Sequence, residues 1–540
     1  MALSPVKPGS PGLQITGLRL FRLLKAALAA AALTFATLGA AAPAHAEWLK
    51  AETEHFIIIG DTSEGAIRNY ARKVERFDGV LRLWFPPTSD IIPPKLTIYL
   101  ADGQQDMKKI WPTIGPTVGG FYTPGEERIF AVTGGSGVEN DHTLFHEYAH
   151  HYMYQNMPGA YPGWFIEGFA EFFATADVTP SRMRVGLHSA GRMNSLTMPE
   201  NSWLPMEAVL RSRASEIRGR GHFYYAQSWA LTHYFLSTDE RRAALGRYLT
   251  AVMGGGDPIA SLQPATGFTP TQLQGEVRNY LGLIRFRPEQ RESPPAEVSV
   301  VRLPPSAGDL VWLDLRLARY VPENLRAANL AEAQRAAARF PNDPWAARVL
   351  TQAHLDMQQN AEAVQVMEAS LAGTPDDPLS LRMKAVALME RGDEMKDSDP
   401  DQRLALFGQA RRALARAYQL EPMDYRLYMA LDRSRQGAPG YPTSNDVETL
   451  LMGRALAPQV QSLGVRASQA LMAEGEYGVA AAFLAPIANN PHGGSGLNSV
   501  RRLLAEAREK AGLPPLESTA DLAADEAADE GGEGDGDEGG

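Results

Sequence analysis

Two stretches decide how this chain is read: His146-Glu147-Tyr148-Ala149-His150 and Trp164-Phe165-Ile166-Glu167-Gly168-Phe169-Ala170-Glu171. On a helix, residues four apart share a face, so His146 and His150 present both imidazoles to one metal ion while Glu147 stands beside them, toward a metal-bound water. Leu144, Phe145, Tyr148 and Ala149 give this helix a buried surface, and Asn140 or Asp141 is placed to cap its start. Two histidines leave a catalytic zinc site one protein ligand short, the last position belonging to water. Pro158-Gly159 and Pro162-Gly163 break the first helix and the second stretch begins another, so Glu167 can face back across the hairpin as the third ligand. Glu171 lies one turn further on the same face and is assigned to orient a ligand histidine; an ordinary solvated or ion-paired role stands equally open.

Outward from the motif, Phe56-Ile57-Ile58-Ile59 is a β-branched run stopped by Gly60 and Asp61, which predicts a strand. Apolar residues at helical spacing predict a helix over 64–85. Leu96 to Leu100 and Arg128 to Thr133 predict two more strands. Strand, helix, strand, strand and then helices argue for a small α+β domain over 47–285. His142, four residues before His146, is read as a solvated first turn rather than a further ligand, and His151 as pointing away from the pair. His55, His188, His233, His354 and His492 have no partner at ligand spacing and are read as structural.

The two stretches resemble the gluzincin metallopeptidases, especially the peptidase-MA-like group, over about residues 142–176 and more weakly to about 250. The resemblance implies His146, His150 and Glu167 as ligands of one Zn2+ per chain, and Glu147 as the general base of peptide hydrolysis by a metal-activated water. It also implies an oxyanion donor from a later helix: Tyr225 is the first choice in Gly221-His222-Phe223-Tyr224-Tyr225, with His222 and Tyr224 behind it. Plain aromatic packing by that helix is an even alternative. The strand Arg128 to Thr133 resembles the edge strand against which gluzincins pair an extended peptide.

Residues 286–308 are rich in proline and charge and predict a linker. Beyond it, Pro341, Pro375, Pro422, Pro458 and Pro491 recur at intervals of 34, 47, 36 and 33 in an Ala/Leu/Arg-rich background. That period predicts an all-α array of tetratricopeptide-like hairpins over 309–515, with Leu350, Ala363 and Pro375 at repeat positions and a Gly475-Glu476-Tyr477 turn before Ala480. Thr351 and His354 depart from the usual small and aromatic residues, and the longest interval carries an insertion around Gly392 to Asp401.

The ends carry most of the charge. The net charge is −11, yet residues 516–540 hold ten acids and no base, a composition that cannot bury enough apolar surface to fold. Residues 1–46 carry four basic residues and no acid. Arg19, Arg22 and Lys25 precede an Ala/Leu-rich run ending in Ala44-His45-Ala46, which predicts a signal peptide cleaved after Ala46 and export to the periplasm or beyond. This run is shorter than the ~20 residues of a spanning helix, so no stable membrane span is expected. The remaining body, near −5, has no basic footprint for nucleic acid. The absence of cysteine excludes a thiolate nucleophile and any Cys metal site. The expected molecule is an exported zinc peptidase whose repeats recruit a peptide or protein substrate or a protein partner. The alternative is a non-catalytic assembly scaffold using the same repeats.

Overall fold

The computed structural model describes residues 47–89, 91–116, 118–134, 138–199, 202–217, 219–282, 296–490 and 496–515. The expected signal segment 1–46, the acidic tail 516–540 and part of the expected linker, 286–295, lie outside the described residues. The strands are β1 Trp48–Glu52, β2 Phe56–Asp61, β3 Leu96–Leu100, β4 Gly120–Pro124, β5 Ile129–Thr133, β6 Asp177–Thr179, β7 Arg182–Arg184 and β8 Ser299–Arg302. β6 and β7 form a small hairpin; the others make one mixed sheet in the order β4-β5-β3-β2-β1-β8. β2, β3 and β5 are mutually parallel, while β1, β4 and β8 run antiparallel to their neighbours.

Parallel strands need a crossover and cover on both faces. Helix α1, Glu64–Trp84, supplies the first crossover and starts at Ser63, whose hydroxyl accepts from the Ala66 N–H. Its apolar stripe of Ile67, Val74, Phe77 and Leu81 joins Phe56, Ile58, Leu96 and Ile98 on one face of the sheet. The other face, with Tyr99, Phe121, Phe130 and Val132, is covered by α2 (Gln104–Ile110) and by α11 (Ala307–Leu317), which arrives from far along the chain. Between them run α3 Val138–Asn156, α4 Gly163–Ala174, α5 Ala190–Leu196, α6 Met206–Arg211, α7 Gly221–Leu236, α8 Asp239–Met253, α9 Leu262–Thr266 and α10 Pro270–Leu281.

The segment 286–308 is not simply a linker: β8 lies in it and pairs Leu49 with Arg302 through Glu52 with Ser299, so the chain returns to complete the first sheet. β5 is not an edge strand, because β4 pairs outside it; the edge is Gly120–Pro124, whose glycine and proline ends hid it as a strand. The helix cap is not at Asn140 or Asp141, since α3 already begins at Val138, and Asp141 instead pairs with Lys73.

The second half is helical: α12 Glu323–Arg339, α13 Pro344–Asp356, α14 Asn360–Gly373, α15 Pro378–Glu394, α16 Pro400–Leu420, α17 Tyr425–Arg433, α18 Ser444–Leu456, α19 Gln461–Ala473, α20 Tyr477–Ala488 and α21 Leu497–Lys510. Each packs chiefly against the next, as hairpins in series do. Pro341, Pro375, Pro422 and Pro458 follow helix ends, while Asp343-Pro344, Asp377-Pro378 and Asp399-Pro400 open helices by a side-chain cap and a proline in the first turn. The insertion around Gly392 to Asp401 is absorbed by lengthening α15 and α16. Thr351 and His354 are buried with partners, the Ala347 carbonyl and the Gln359 amide oxygen. Among the described residues, no helix is long and apolar enough to cross a membrane.

Candidate metal centre

α3 and α4 cross so that three side chains converge. His146 Nε2 lies 3.1 Å from His150 Nε2, and Glu167 Oε2 lies 3.4 Å from the first and 3.5 Å from the second. Two ligands bonded to one tetrahedral zinc at 2.0–2.2 Å stand about 3.4 Å apart. The triangle therefore has the size that ion requires, and its two nitrogens and one carboxylate oxygen are its ordinary donors. All three side chains are withdrawn from solvent, Glu167 completely.

Glu171 occupies the far side of His146, with Oε1 3.5 Å from Nδ1. The Nε2 atom is thus directed to the cluster and Nδ1 to a carboxylate, the division that fixes a ligand imidazole's tautomer and orientation. Burial pulls the His146 pKa down, yet the bond to Glu167 and the charges of Glu171, Glu167 and Glu147 hold it up at about 9. Three carboxylates, Glu147, Glu167 and Glu171, thus act on this one imidazole.

Arg192, unmarked in the sequence, anchors this arrangement. From α5 it forks onto Glu171, Nε to Oε2 at 2.9 Å and Nη2 to Oε1 at 2.6 Å. Burial would raise the Glu171 pKa, but Arg192 and His146 keep it below the usual carboxylate value. The same guanidinium lies 4.9 Å from the centre of the Tyr225 ring. Arg192→Ala is expected to weaken zinc affinity about 10- to 100-fold while far-UV circular dichroism is preserved, because the buried carboxylate behind His146 loses its cation. A chelator-competition titration checks this, and unchanged affinity refutes the role.

The three oxyanion candidates separate clearly. Tyr225 packs edge-on to His146 at 6.3 Å between centroids; burial and the charges of Glu167 and Glu171 raise its phenol pKa, against Arg192. Tyr224 is fully buried and donates to the Ser212 carbonyl at 2.6 Å, a structural bond. His222 is exposed beside Phe223. α7 can bring Tyr225 this close because Gly168 lets α4 touch it: a Cβ there would lie 2.2 Å from Thr232 Oγ1 and 2.4 Å from the Ser228 carbonyl oxygen.

Glu147 is half-buried, one residue after His146 on α3, and lies near enough to act electrostatically on His146, Tyr225 and Tyr122 of β4. His151 faces away from the ligands and bonds the Tyr122 hydroxyl at 2.9 Å; burial holds its pKa down near 4. His142 is half-buried rather than solvated and lines a cavity with Thr143 and Arg192. His55 has found partners that sequence spacing concealed: its Nδ1 lies 2.6 Å from Glu75 and 3.3 Å from Asp78, both on α1.

Residues 140–253 match the model of a protein family of unknown function, DUF1570. The matched stretch takes in α4, α7 and all but the first two residues of α3, and leaves out the six-stranded sheet and the repeats. A thermophilic TPR protein of Thermus thermophilus is similar over 41% of this chain and 97% of its own, at 17% identity and a TM-score of 0.29. No curated protein matches the chain.

Proposed function

We propose that the chain is an exported zinc-dependent metallopeptidase. The observation that carries this reading is the 3.1–3.5 Å triangle of His146, His150 and Glu167 with Glu147 adjacent. A zinc ion held by those three would acidify a water toward neutrality and polarise a substrate carbonyl. Glu147, one residue after the first ligand, takes the proton from the attacking water and returns it to the leaving amine. Tyr225 offers its hydroxyl, raised in pKa and so protonated, to the charge that develops on the carbonyl oxygen. Glu171 and Arg192 hold His146 in place, so little reorganisation is needed at the moment of reaction.

The substrate backbone has an edge strand to pair with. β4 takes the place expected of Arg128 to Thr133, and its outer edge can accept an extended chain. Export rests on the signal-like leader, and the helical repeats are a surface for recruiting a substrate or partner protein.

Elemental analysis of the purified full chain is the direct test. One zinc per chain is expected, lost in His146→Ala and in Glu167→Ala while the circular dichroism of the repeats persists. Zinc that remains stoichiometric in both variants refutes the site; zinc bound with no hydrolysis of any peptide supports the scaffold alternative instead.

A further inference from the structure

The repeat helices do not stand apart from the sheet edge. Arg319, just beyond α11, bonds Thr123 of β4 at 3.0 Å. Tyr425 donates to the Gly125 carbonyl at 3.0 Å, and Arg382 pairs with Glu127 at 3.1 Å, so α15 and α17 grip the β4–β5 turn. The array then returns: Asn489, after α20, donates at 3.2 Å to the carbonyl of Ala160, in the loop between the two ligand-bearing helices.

This path leaves a cavity at each end of β4. One, of about 1060 Å3, opens at Val118 and Gly119, just ahead of the strand, with His142, Thr143 and Arg192 in its wall. The other, of about 1070 Å3, lies between residues 122–127 and the repeat region, which contributes Tyr320 from the loop between α11 and α12, Leu355 from α13 and Val386 from α15. Helix α3 accompanies the strand between them: a Cβ on Gly120 would lie 3.7 Å from Thr143, and Tyr122 bonds His151. The two histidine ligands thus fall between the cavities. Tyr320 lines this second cavity and is 85% exposed, so its ring is open to an occupant.

We propose that the second cavity is the continuation of the substrate cleft, and that its occupant is an extended, unfolded polypeptide segment lying along β4 with an apolar side chain against Tyr320. The proposal rests on the metallopeptidase reading and deepens it by making the repeat region one wall of the substrate cleft. Paired strands advance about 3.4 Å per residue, so the five residues of β4 span about 17 Å. A substrate must be several residues long to reach from Glu147 to Tyr320. The repeats then select substrates by forming one wall of the cleft. Basic Arg319, Arg326 and Arg433 face acidic Glu126, Glu127, Asp356 and Glu390 around the cavity, which favours an uncharged segment over a strongly acidic or basic one.

The test uses the full chain with Glu147→Gln to prevent turnover, a photo-crosslinker introduced as Tyr320→p-benzoylphenylalanine, and a fluorescent unstructured casein peptide of about twelve residues. Crosslinking at 320, absent for the same group in Val301→p-benzoylphenylalanine at the opposite edge of the sheet, is the expected result. In the active chain, Tyr320→Ala is expected to raise KM for that peptide about fivefold with kcat retained. No crosslink at 320, equal crosslinking at 301, or an unchanged KM overturns the proposal. If the zinc-loaded chain cleaves nothing, the peptidase reading falls, and the crosslink alone still decides whether this cavity takes an extended peptide.

Discussion

Glu147→Gln is expected to keep one zinc per chain and to lose about a hundred- to ten-thousand-fold in peptide hydrolysis. The side chain is not one of the three converging donors, so the ligand triangle survives the change. The amide has nearly the shape of the carboxylate but cannot take a proton from water. A scaffold would tolerate the replacement without consequence. The measurement is kcat on a quenched fluorescent peptide together with zinc content of the same sample. A variant that retains both zinc and full turnover removes Glu147 from the mechanism.

Gly168→Ala is expected to have the largest effect on the architecture. The added methyl has nowhere to go: Thr232 and Ser228 are both fully buried, and one obstruction is a backbone carbonyl that no rotamer change can move. α4 and α7 must separate, which carries Glu167, adjacent to Gly168, away from the two histidines, and Tyr225 away from His146. Overpacking of this kind costs about 3 kcal/mol or more. In a domain of this size that lowers Tm by roughly 6–12 °C. Calorimetry and a zinc titration on one preparation check both consequences, and an unchanged Tm with full zinc occupancy contradicts the packing argument. Gly191→Ala, with open space around its Cβ, is the matched control.

The pairing of His146 with His150 and the position of Glu167 were legible from residue order, because helical spacing fixes which side chains share a face over a few turns. The strands at β2, β3 and β5 and the helix α1 were equally legible, each being a strong local pattern. The bounds of the helix hairpins followed from their prolines. Other features depended on contacts between residues far apart in the chain. Whether β5 lay at the edge or inside depended on β4, whose short Phe-Tyr-Thr strand signal is cut off by a glycine and a proline at its ends. The proline-rich stretch gave no hint that β8 would pair with β1, since pairing is decided by which strand edge is left open after the rest has folded. Arg192 reads as one arginine among many until Glu171 is seen to be buried with a single fork-shaped partner. Tyr225 could be separated from Tyr224 and His222 only when α7 was seen to lie against α4 at Gly168. Local sequence thus determined which groups could act together on one helix or hairpin, because those distances are set by backbone geometry. Tertiary structure alone decided what surrounds them, because burial, charge pairing and the meeting of sheet edge with repeat helices arise from packing between segments that sequence proximity does not connect.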